Sequence, residues 1–92
     1  MKPQKEEYLL VASIPKNNKF KKCFLAKTKS GNFTFVPYRS KHVKVFSCQK
    51  NINEYIDKNG VAILNCLKSL QAKNNRLYVV KVTYNYVFDI IL

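Results

Sequence analysis

Between Tyr8 and Asn53 the chain contains no Asp and no Glu, yet Lys16, Lys19, Lys21, Lys22, Lys27, Lys29, Arg39, Lys41, Lys44 and Lys50 all fall in that stretch. A surface built from this half has no counter-charge of its own, so it carries a positive field that attracts polyanions. Acids are scarce elsewhere too. Five of them, Glu6, Glu7, Glu54, Asp57 and Asp89, stand against 17 basic residues and leave a net charge of +12. Scattered in this way they offer neither the paired carboxylates of a glycosidase nor a carboxylate metal cluster. With 2 Gly, neither in a G-x-x-x-x-G-K setting, a phosphate-cradling glycine loop is excluded.

Histidine occurs once, as His42, and the cysteines Cys23, Cys48 and Cys66 are far apart with no C-x-x-C pair. That combination speaks against zinc, and an odd cysteine count speaks against a disulfide framework. Buried free thiols in a reducing compartment are the expectation. No apolar run approaches the roughly 20 residues of a membrane span. The run Tyr8 to Ile14, preceded by Glu6 and Glu7 and closed by Pro15, is too short for a signal peptide. The reading is a soluble cytoplasmic protein, in the host cytoplasm if the gene is viral, with no cofactor and no metal.

What is present supports a packed globule. Of the 92 residues, 47% are hydrophobic, which favours one domain over 1–92 with one modest core rather than a disordered chain. AT-rich coding could produce the excess of Lys over Arg, but it does not account for the missing acids.

Residues 8–14 read as a strand buried on both faces. After the polar turn Lys16-Asn17-Asn18-Lys19, residues 20–29 resume as a strand with Phe24 and Ala26 alternating against Leu25 and Lys27. Ser30-Gly31-Asn32 is a tight-turn signal that leads into Phe33-Thr34-Phe35-Val36, giving a hairpin in which Gly31 supplies a positive φ. A fourth strand is expected over Lys41 to Phe46, with Val43 and Val45 on one side and His42 and Lys44 on the other.

The period then changes to 3.6. Cys48, Ile52, Tyr55, Ile56, Asn59, Gly60, Ile63, Cys66, Leu67 and Leu70 share one face, which predicts a helix over 48–73 with Ser47 as N-cap and a kink or break at Asn59-Gly60. Asn74-Asn75 ends it. The last strand shows Tyr78, Val80, Val82, Tyr84, Tyr86, Phe88 and Ile90 on one face, with Lys81, Thr83, Asn85 and Asp89 on the other. The expected fold is α+β, a mostly antiparallel sheet of about five strands in the order β-β-β-β-α-β with one long helix on one face. If Lys27, Lys29, His42, Lys44 and Lys81 share the other face, that uncovered side is the basic one.

Basic residues interleaved with aromatics suit single-stranded nucleic acid, with lysines on phosphates and rings on bases. The candidate nucleic-acid-binding residues are Lys19, Lys21, Lys22, Lys27, Lys29, Tyr38, Arg39, Lys41, His42 and Lys44. Phe24, Phe33 and Phe35 read as core. With only Arg39 and Arg76 able to make bidentate contacts, base-edge readout should be poor. Lys44-Val45-Phe46-Ser47 followed by a helix with Tyr55-Ile56 resembles small β-then-helix proteins of phage and mobile-element genomes. That resemblance implies a host-interaction or inhibitor protein acting on a nucleoprotein machine such as a defence nuclease.

The leading expectation is therefore a non-enzymatic basic module that engages nucleic acid, a nucleoprotein complex or an acidic protein surface. Two alternatives rank below it. One is a metal-independent ribonuclease using His42 as acid or base with Arg39, Lys41 or Lys44 on the phosphate. The other is an inhibitor that pairs with a protein through an exposed strand edge.

Overall fold

The computed structural model describes residues 4–85. Four strands, β1 (Gln4–Lys16), β2 (Lys19–Lys27), β3 (Phe33–Val36) and β4 (Tyr78–Asn85), form one antiparallel sheet in the order β3-β2-β1-β4. A single helix, α1 (Gln49–Ser69), and a 3-10 turn over Lys73–Asn75 lie between β3 and β4 in the chain. The α+β architecture is as expected. Tyr86, Phe88, Asp89 and Ile90, assigned from sequence to the last strand, lie outside the described residues.

β1 occupies an inner position because both of its faces are apolar. Leu10, Ala12 and Ile14 point to α1, and Leu9 and Val11 point away from it. The first group packs with Cys23, Leu25 and Phe35 of the sheet, Phe46, and Ile52, Ile63 and Leu67 of the helix. The second makes a smaller cluster with Ala26 and Val43, flanked by Phe24, Val36, Val80 and Val82. Burying a Leu, Ile or Phe side chain stabilises by roughly 1.5–3 kcal/mol, so the helix-facing cluster dominates the fold.

The β1–β2 connection is a two-residue hairpin. Lys16 pairs with Lys19, and Asn17 and Asn18 between them both take positive φ, at 52° and 65°. Two successive left-handed residues make a type I′ turn, whose twist matches the flanking strands, and Asn tolerates that conformation better than most side chains. The β2–β3 turn uses Gly31 at φ 89°, as expected, and closes with the Thr28 N–H donating to the Asn32 carbonyl at 2.8 Å.

The expected fourth strand, Lys41 to Phe46, is replaced by a wedge. β1 and β2 pair from Lys16/Lys19 down to Val11/Phe24 and then part. Residues 42–46 fill the gap: Val43 bridges to Ala26 and Phe46 to Tyr8. Lys27 N–H donates to the His42 carbonyl and Lys44 N–H to the Leu25 carbonyl. Both bridges are antiparallel while β1 and β2 run in opposite directions, so the segment must bend between them. The bend breaks the expected alternation, leaving Val45 42% exposed while Val43 and Phe46 are buried.

α1 runs unbroken through Asn59 and Gly60. The Asn59 side-chain amide donates to the Tyr55 carbonyl at 3.0 Å, which uses up the group that would otherwise compete with the helix. The N-cap is Cys48, one residue later than expected, and Ser47 Oγ instead accepts from Asn51 Nδ2 at 3.0 Å. The helix also stops before residue 73. Gln71 takes φ 59°, with the Gln71 N–H bonded to the Lys68 carbonyl and the Ala72 N–H to the Leu67 carbonyl. This is a Schellman motif built on a residue other than glycine.

Candidate nucleic-acid interface

The four described acids gather at one end of the molecule. Glu54 and Asp57 line a cleft of about 780 Å³ with Lys44, Val45, Phe46, Asn51, Tyr55 and Lys58. Glu6 and Glu7 line an adjoining cleft that shares Val45, Phe46 and Asn51. Here charges find partners: Arg39 is ion-paired with Glu7, and Lys81 Nζ lies 3.3 Å from Glu6. Lys44 Nζ sits 5.3 Å from the centre of the Tyr55 ring and Lys27 Nζ 5.3 Å from that of Phe33.

The opposite end differs. At the tip of the β1–β2 hairpin Lys16 stands directly across from Lys19, Lys21 across from Ile14, and Lys22 across from Ser13. All four lysines are exposed. The 3-10 turn packs beside β1 and brings Lys73 and Arg76 to the same end, with Lys73 Nζ 5.6 Å from the centre of the Phe20 ring. None of the four described acids lies among these six cations. Two like charges facing each other across a strand pair are unfavourable by a few tenths of a kcal/mol, so the local fold does not profit from Lys16 opposite Lys19. The field is felt inside as well: burial pushes the Cys23 thiol up, and Lys16 and Lys21 pull it partly back.

The ten residues named from the sequence therefore divide. Lys19, Lys21 and Lys22 belong to the hairpin end. Lys27, Lys29, Lys41, His42 and Lys44 lie beyond the point where β1 and β2 part, away from the hairpin tip. Lys44 shares a cleft with Glu54 and Asp57, Arg39 is ion-paired with Glu7, and Tyr38 is 62% exposed in the connection after β3. The condition that Lys27, Lys29, His42, Lys44 and Lys81 share the face away from the helix is not met. Lys27 pairs with Phe33 and Lys81 with Tyr8, both in the helix-facing cluster, and Lys44 lies over a helix side chain. Lys16, Lys73 and Arg76 are not among those ten candidates. Their common location depends on the docking of the 3-10 turn on β1, for which no local signal exists.

The expected assignments of Phe33 and Phe35 to the core are met, and Phe24 joins the second cluster. Of the thiols, Cys23 is buried and Cys66 half-buried, but Cys48 is exposed, contrary to its expected place on the buried helix face. Among the described residues no three His, Cys, Asp or Glu side chains gather closely enough to hold a metal ion, and no helix is long and apolar enough to cross a membrane. Comparison with protein-family models, with curated proteins and with solved structures gave no significant match, so the reading of this site rests on the chain's own geometry.

Proposed function

We propose that the protein is a small non-enzymatic module that binds nucleic acid, free or within a nucleoprotein complex, through the β1–β2 hairpin end. One observation carries the reading: Lys16, Lys19, Lys21, Lys22, Lys73 and Arg76 converge where none of the described acids lies, and Lys16 faces Lys19 against local stability. Exposed cations with no acid beside them among the described residues suit phosphates, whose neutralisation releases counterions and supplies most of the affinity. The likeness of residues 44–56 to phage and mobile-element proteins supports a setting in which the bound nucleic acid belongs to a host machine that the module inhibits. The acid-bearing clefts at the far end would stay clear of the polyanion.

The test is binding to heparin and to oligonucleotides as a function of salt. Six phosphate contacts predict a log K against log [salt] slope of about −4 for single strands and −5 for duplex. Replacing Lys16, Lys19, Lys21 and Lys22 together by Gln should flatten that slope by about 3. The matching quadruple change of Lys27, Lys29, Lys41 and Lys44 should alter it far less. Equal loss from the two sets would reject a localised interface, and no salt-sensitive binding at all would reject the function.

A further inference from the structure

We infer, on the footing of the polyanion-binding reading above, that this end holds unpaired bases of a single-stranded nucleic acid, with Phe20 and Tyr78 as two stacking platforms. Phe20 pairs with Pro15 and Tyr78 with Val11. Val11 belongs to the cluster on the face away from α1, and Pro15, four residues further along β1, points the same way. Cross-strand partners share a face, so both rings rise from the side of the sheet that the helix leaves open. They are large apolar groups left 54% and 46% exposed in the most basic part of the molecule.

Each ring has a cation beside it. Lys73 Nζ is 5.6 Å from the Phe20 centroid, and the Arg76 guanidinium is 5.8 Å from that of Tyr78. Lys22, opposite Ser13, stands on the same face between the two rings. This is the composition that binds single strands: π-faces for bases, with cations at hand for the phosphates that join them. A strand rise of about 3.3 Å and a strand spacing of about 4.8 Å place the two Cα atoms roughly 16 Å apart. That exceeds the spacing of about 3.4 Å between stacked neighbours, so the rings hold non-adjacent bases and the intervening backbone runs past Lys22. A duplex keeps its base faces stacked within itself and offers these rings nothing. One arginine at the site gives little means of reading base edges, so sequence preference is weak.

The experiment titrates fluorescent pyrimidine single strands, RNA and DNA, against duplexes of equal length and against heparin, which has charge but no bases. Phe20→Ala and Tyr78→Ala should each weaken single-strand binding by roughly 5- to 150-fold and leave duplex and heparin binding unchanged. Tyr78→Phe, which keeps the ring, should bind as the parent protein does. Unchanged single-strand affinity in both alanine variants would overturn the platform while leaving the polyanion reading intact. Parallel loss on heparin would also overturn it, since the rings would then be supporting the lysines. Failure of the parent protein to bind heparin or any oligonucleotide would instead sink the reading on which the inference rests.

Discussion

Phe46 and Tyr8 exchange backbone hydrogen bonds in both directions, at 2.8 and 2.9 Å, and so tie the entry to α1 onto the first strand. Phe46 is 7% exposed and meets the Tyr55 ring edge-on at 5.2 Å. It thus joins the wedge, the sheet and the helix in one contact. Phe46→Ala should lower stability by about 3–5 kcal/mol, read as a shift in the urea midpoint. A loss below about 1 kcal/mol would mean that the wedge is not part of the cooperative fold.

Gly60 occupies an ordinary helical position. A Cβ there would meet only Ile56 Cγ2, at 3.8 Å, which is normal contact. Gly60→Ala should therefore raise stability by about 0.5–1 kcal/mol, mainly by restricting the unfolded chain. A destabilised variant would show that the helix needs freedom at this point.

Tyr55 packs edge-on against Phe33 and Phe46, but its hydroxyl is buried and has no hydrogen-bond partner among the described residues. A desolvated hydroxyl that gains nothing in return costs about 1–3 kcal/mol. Tyr55→Phe should leave the ring contacts in place and be neutral or stabilising by up to about 1 kcal/mol in thermal unfolding. A clear loss would reveal a partner for that oxygen.

Burial raises the Cys23 and Cys66 thiols above their ordinary 9.0 and the Tyr55 phenol above its ordinary 10.0. Above these ordinary values the unfolded chain releases its protons while the folded chain keeps them. Stability contributed by the neutral groups is therefore complete below about pH 9 and falls as pH rises through the folded values. Urea midpoints measured from pH 7 to pH 11 should decline on the alkaline side, less steeply in Tyr55→Phe. Exposed Cys48 should take up a thiol reagent first at pH 8, with Cys23 last. Equal labelling of all three would contradict the packing.

Much of the fold was written locally. The two-sided apolar run at Tyr8 to Ile14 announced a strand inside the sheet, and the stripe from Ile52 to Leu67 announced one helix packed on it. What failed depended on distant partners. Lys41 to Phe46 alternates like a strand, but alternation says which side chains share a face and not whether an edge is free to pair. Here the segment settles into the fork between β1 and β2. The helix end was missed because the left-handed residue after the cap is Gln71, where a glycine would have signalled it. The basic character of the first half was plain, but its concentration at the hairpin was not. Lys73 and Tyr78 reach that end through pairing across most of the chain, and no window around either residue carries that information.

The strand order also sets the timetable of folding. β1 meets β2 across two residues, but its other side waits for β4, whose residues lie about 70 to 80 positions further along. Such distant closure is slow, and a chain emerging from the ribosome would present one flank of β1 unsatisfied until β4 had been made. Any truncation before Tyr78 leaves that flank open for good, an invitation to intermolecular strand pairing and precipitation.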